Sequence, residues 1–156
     1  MRPVLAGLSV LALAACAEEV AVPKSASAPE PAVMLASVDL ARPVRALGTE
    51  PFWAVELTGT EIVYTGVDRP EQRAPQSPPV VQGTTASFEA ETTTGTPISI
   101  MIAATECSDG MSDRTYPLSA IVRIGDETLT GCAASVAALM AAGESGLVVE
   151  QAQPPA

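Results

Sequence analysis

A mainly β fold is the class this sequence predicts: a small antiparallel β-barrel or sandwich, with a short helix near the C-terminus. Three observations predict it. Apolar and β-branched residues recur with a period of two between residues 42 and 133. Glycine-containing dipeptides separate those segments at hairpin spacing. About six or seven such strands fit within ~95 residues, a density typical of small antiparallel barrels and sandwiches.

The elements follow in order. Phe52–Thr58 alternates in part, and Glu61–Thr65 is β-branched and aromatic, with Gly59-Thr60 as the hairpin turn between them. Residues 67–79 carry Pro70, Pro75, Pro78 and Pro79 among several charges and read as a loop. Thr84–Thr92 sets Ala86, Phe88 and Ala90 on one face against Ser87, Glu89 and Glu91 on the other. Pro97–Thr105 is nearly continuously apolar through Ile98, Ile100, Met101 and Ile102, which suits a buried strand. Tyr116–Ile124 and Glu127–Gly131 flank Gly125-Asp126, a second hairpin. Cys132–Ala142 places Val136, Leu139 and Met140 at helical spacing with Gly143 as a stop, and the alternative is a low-complexity alanine tail. No internal repeat is visible.

The N-terminal region carries an address. Arg2 precedes Val4–Ala15, an uncharged run that suits a signal peptide. It is shorter than the ~20 residues a membrane-spanning helix needs. The run ends in Leu13-Ala14-Ala15-Cys16, which resembles the lipobox of bacterial lipoproteins. That resemblance implies cleavage before Cys16, a diacylglyceryl group on its thiol and usually a third acyl chain on its amine. A plain secretory signal is the alternative. Two or three acyl chains hold a protein stably at a membrane, since each buried CH₂ contributes about 0.8 kcal/mol. Ala17 in place of Asp, by resemblance to enterobacterial sorting, favours the outer membrane, facing the periplasm. Four segments are expected: a signal peptide over 1–15, a lipidated flexible tether over 16–41, a β-rich domain over 42–133, and an alanine-rich short helix with a disordered tail over 134–156.

Charge and residue types exclude several functions. The formal net charge is −10, and Lys24 is the only lysine. Such a chain lacks the basic patch that nucleic acid requires. Anionic headgroups would repel it, so attachment to the membrane falls to the N-terminal lipid. A basic protein partner or a small anionic ligand are the remaining partner classes. The chain contains no histidine, which removes Ser-His-Asp and Cys-His triads and His-ligated zinc. A carboxylate pair drawn from Glu50, Glu106, Asp109 and Asp113 is the remaining catalytic option, but acids beside turns are mostly solvated or capping. Asp109–Asp113 lacks the EF-hand pattern. Copper on Cys107, Met111 and Met101 would need open thiols. No enzyme activity, metal or cofactor is expected. With Cys16 lipidated, Cys107 and Cys132 form a natural disulfide pair in an oxidising compartment, worth about 3.5 kcal/mol in the loop-entropy model.

Two segments are dense in uncommon residues: Gly48-Thr49-Glu50-Pro51-Phe52-Trp53, and Cys107-Ser108-Asp109-Gly110-Met111-Ser112-Asp113-Arg114-Thr115-Tyr116-Pro117 with Gly131-Cys132-Ala133 beyond it. Together they resemble a family of uncharacterised lipoproteins of Gram-negative bacteria, over roughly residues 42–133. The resemblance implies an envelope-facing domain of unknown activity, sometimes found beside domains like the membrane-bound inhibitors of c-type lysozyme. It transfers no catalytic residue.

Read physically, the second segment is a structured turn: Asp109-Gly110 suits a tight bend, and Ser112 and Asp113 can bond nearby backbone. Arg114 can form a bidentate pair with a carboxylate, with Glu50 or Glu106 as candidates. One reading has these residues tie a loop across the open end of the barrel. The other has Trp53, Glu50, Asp113, Arg114 and Tyr116 line a ligand groove, with Arg114 holding a carboxylate or phosphate. Phe52 and Trp53 point to opposite faces of a strand, so one belongs to the core. The leading function is a lipid-anchored, non-enzymatic binding or interaction module. A c-type lysozyme inhibitor-like module and a purely structural envelope domain are the alternatives.

Overall fold

The computed structural model describes residues 32–67 and 69–149. The expected signal peptide, Cys16, most of the tether and the end of the tail lie outside the described residues. The strands, in chain order, are β1 (Met34–Leu35), β2 (Val38–Asp39), β3 (Val44–Thr49), β4 (Phe52–Leu57), β5 (Glu61–Gly66), β6 (Gln72–Pro75), β7 (Val80–Gln82), β8 (Thr85–Glu91), β9 (Pro97–Ala103), β10 (Cys107–Ser108), β11 (Asp113–Tyr116), β12 (Leu118–Ile124) and β13 (Glu127–Ser135). Helix α1 (Val136–Ala141) and strand β14 (Ser145–Leu147) follow.

Nine strands form one antiparallel sheet in the order β6-β5-β4-β3-β13-β12-β9-β8-β7, curled into a half-barrel. Its two edges, β6 and β7, are consecutive in the chain and joined only by residues 76–79, so the chain itself crosses the seam. One backbone bond, from Thr93 N to Arg73 O at 2.8 Å, ties β6 to the turn after β8. The proline-rich stretch expected to be a loop over 67–79 therefore contains β6 and the seam crossing and ends where β7 begins. Proline donates no ladder hydrogen bond and belongs at such edges: Pro75 ends β6, while Pro78 and Pro79 fill the crossing.

Alternation fills the concave side. Val55, Ile100, Ile102, Leu118, Val122 and Ile124 project inward and are fully buried. Trp53 joins them at 4% exposure, and its indole lies against Gly48 and Gly131, where any Cβ would overlap the ring. The inward row of β3 is thus Val44, Ala46 and Gly48, small residues that make room for one large one. At the far end, Arg69 pairs with Glu127 and its guanidinium carbon stands 5.7 Å from the centre of the Tyr64 ring.

Three expected boundaries shift. The β1–β2 hairpin buries Leu35, Val38 and Leu40 in the main core, so packed structure begins within the stretch assigned to the tether and the domain extends N-terminal to residue 42. The helix begins at Val136 rather than Cys132, because Cys132–Ser135 pair with Leu47–Val44 of β3 and the ladder outweighs alanine's helix propensity. Ser135 then caps the helix, its Oγ accepting from Ala138 N at 3.1 Å. Finally, the segment from residue 144 is not wholly tail: β14 pairs in parallel with β11, and Val148 is fully buried.

Candidate binding grooves

An outer layer covers the convex face of β3 and β13. It consists of the three-stranded sheet β10-β11-β14 and helix α1. The disulfide Cys107–Cys132 fastens β10 to β13, with a Cα–Cα separation of 5.5 Å. Beneath it Tyr116, Cys132, Ala134, Ala138 and Val148 form a small second core.

Asp109 organises the segment between β10 and β11. Its Oδ1 accepts from Met111 N at 3.0 Å and Ser112 N at 2.8 Å, and its Oδ2 accepts from the Ser112 hydroxyl at 2.8 Å and the Tyr116 hydroxyl at 2.9 Å. Gly110 follows with φ +73°, a backbone conformation that other residues rarely adopt. Partial burial pushes the Asp109 carboxyl up, but donors from Ser112, Met111 and Tyr116 outweigh it and lower the pKa to about 2. Burial, together with the hydrogen bond to Asp109, raises the pKa of Tyr116. The segment is also tied to the sheet, since the Thr49 hydroxyl donates to Asp109 O at 3.0 Å.

Two grooves flank the outer end of β3. The first, of about 550 Å³, is lined by Glu50, Asp109, Ser108, Thr49, Thr130 and Met111 together with nearby backbone. It is polar, and no cation among the described residues lines it. The second, of about 560 Å³, lies between the outer layer and the convex face of β3, β4 and β5. Leu47, Phe52, Ala54, Val67 and Leu139 give it an apolar floor and wall, and Arg45 and Arg114 give it two cations. Among the described residues no acidic side chain lines it. Phe52 is 55% exposed there and Val67 68%.

The five residues expected to share one groove are divided. Glu50 lines the first, Arg114 the second. Trp53 lines the second only from beneath, because its ring belongs to the core. Tyr116 is buried at 2% exposure and serves Asp109. Asp113 is exposed on β11 opposite Ser145 and lines neither groove. Arg114 is held by neither Glu50 nor Glu106: its Nε donates to Gly143 O at 2.8 Å. Of the two residues expected to order the turn, Ser112 takes part, and Asp109 rather than Asp113 supplies the carboxylate. Arg45 escaped the sequence reading because one arginine between apolar residues carries no motif. Its only signal was alternation with Val44 and Ala46, which turns it to the convex face.

No family model, curated protein or solved structure among those searched matches this chain.

Proposed function

We propose that the protein is a lipid-anchored module of the cell envelope that binds an anionic ligand in the second groove and performs no catalysis. The observation that carries this reading is the placement of Arg45 and Arg114 in a groove that no acid lines among the described residues, in a chain of net charge −10. Among the described residues Arg45 has no ion-pair or hydrogen-bond partner, and Glu56, its ladder neighbour, forms no ion pair with it. An unpaired guanidinium on the sheet, in one groove with another held by Gly143, suits a carboxylate or phosphate. The lack of histidine and the confinement of lysine to residue 24 support a binding role over a catalytic one. Cys16 supplies the anchor in this reading, at an outer membrane and facing the periplasm.

The test compares the native chain with Arg45→Gln, both purified from the envelope and extracted for bound small molecules. Enrichment of an anionic compound in the native sample and its loss from the variant is the expected result. Identical extracts would remove the reading. Cys16→Ser should release the chain from the membrane fraction; retention there would remove the anchor.

The first groove favours a second reading, a basic protein partner such as a c-type lysozyme. Glu50 is exposed, Asp109 stays ionised above acidic pH, and no cation among the described residues lines that groove. Slowing of lysozyme at low salt that Glu50→Gln abolishes would support this reading, and no slowing would end it.

A further inference from the structure

We infer that the second groove takes a single-chain amphiphile with an anionic head, a deepening that rests on the anion-binding reading above. The floor decides the body of the ligand. Most of the floor's backbone is engaged in the sheet: Arg45 and Leu47 pair with both β13 and β4, and Ala54 with both β3 and β5, while the strand-end residues Gly48, Thr49, Thr65 and Gly66 have a ladder partner on one side only. Its two hydroxyls are engaged as well: Thr49 donates to Asp109 O, and Thr65 to Ala54 O. An extended peptide laid along the floor would desolvate most of its amides without replacing their bonds, at a cost of about 1–3 kcal/mol for each unpaired group. An alkyl chain has no such groups to satisfy.

The geometry also gives the ligand a direction. Ladder pairing sets Arg45 opposite Glu56, Leu47 opposite Ala54 and Thr49 opposite Phe52, and Ala54 in turn opposite Thr65. Val67 extends the last row, its N–H donating to Phe52 O at 3.2 Å. The path from Arg45 to Val67 crosses two strand spacings and two side-chain repeats, roughly 17 Å. It is charged at the Arg45 end and apolar at the Val67 end, and Arg114 also lines the groove. The occupant is a free amphiphile rather than a bilayer surface, because the groove seats one chain and an anionic bilayer would repel a chain of charge −10.

Trp53 is the only tryptophan and lies beneath the groove, so its fluorescence reports occupancy. The experiment titrates the full chain carrying Cys16→Ser, kept free of detergent, with dodecanoate, dodecyl phosphate, dodecanol, butyrate, inorganic phosphate and anionic phospholipid vesicles. The two long-chain anions should bind at least about tenfold more tightly than dodecanol, and Arg45→Gln should weaken them about tenfold while dodecanol is unchanged. Ala54→Glu, which places a like charge on the floor, should abolish binding with the melting temperature held. Equal affinity for dodecanol and dodecanoate would overturn the role of the head, and preference for vesicles would overturn the free amphiphile. If butyrate or phosphate binds through Arg45 with no gain from a longer chain, the amphiphile fails and the anion site stands. If none of the probes binds, both fail.

Discussion

Inside the curled sheet, Ile100, Ile102, Leu118, Val122 and Ile124 are fully buried against one another, and no polar group is needed to place them. On its outer face, residues 107–116 are ordered by four hydrogen bonds to the Asp109 carboxylate and one disulfide. The first region is specified by a repeating pattern and tolerates approximation at any one position. The second is specified by a few directional contacts, and each must be present. The two differ in what should break them, how far the damage spreads and how it responds to pH.

The largest effect is expected in the barrel. Ile100 lies between Phe88 and Val122 on neighbouring strands, and all three face the interior. Ile100→Ala removes apolar contact and leaves a cavity, a change that costs about 2–5 kcal/mol in comparable cores. Urea unfolding followed by Trp53 fluorescence and by circular dichroism should shift equally by both probes, since the pattern holds the whole sheet as one unit. A shift confined to one probe would show that the barrel is not a single cooperative unit.

Severing the disulfide should do something different in kind. Cys107→Ser with Cys132→Ala removes a constraint worth about 3.5 kcal/mol in the loop-entropy model. The barrel ladder does not pass through Cys107, so the loss should appear first as faster amide exchange in the outer layer. Val148 N, bonded to Thr115 O at 2.9 Å, is the natural reporter. Val122 and Ile100 amides should keep their protection until global unfolding. Equal loss of protection at Val148 and Ile100 would merge the two regions into one.

The same division explains what the sequence made legible. The hairpin between β4 and β5, the alternation of β8, the apolar run of β9 and the β12–β13 hairpin all lie close to their expected positions, because their inward rows are strongly apolar. Strand β3 was missed because its inward row, Val44, Ala46 and Gly48, is shrunken to seat Trp53, and that need is set by a residue on another strand. Strands β6 and β7 were missed because edge positions carry prolines and exposed side chains that read as loop. Strands of two or three residues, such as β1, β2 and β14, leave no period to detect. For the groove, Arg114 was visible through its motif. Arg45, Leu47, Phe52, Val67 and Leu139 meet only through folding, from three elements and the turn after β5. The disulfide was legible by elimination among three cysteines, and the structure contains it.

The smallest effect, and the one most specific to the outer layer, is its response to acid. The folded pKa of Asp109, about 2, lies below its ordinary value of 3.8, so the folded state holds the proton less tightly than the unfolded one. The stabilisation is therefore complete above about pH 4 and is lost as pH falls toward 2. Amide exchange at Met111 and Ser112, whose N–H groups bond Asp109, should accelerate through that window more than the intrinsic rate predicts. Asp109→Asn should flatten the dependence, since an amide neither titrates in this range nor attracts the donors as a carboxylate does. Asp109→Ala goes further and leaves the buried Tyr116 hydroxyl without its acceptor, at a cost of about 1–3 kcal/mol. Adding Tyr116→Phe should recover part of that loss, because removing both partners leaves no stranded donor. A double variant no more stable than Asp109→Ala alone would mean that the carboxylate acts through the backbone turn and that the tyrosine contact contributes nothing to it.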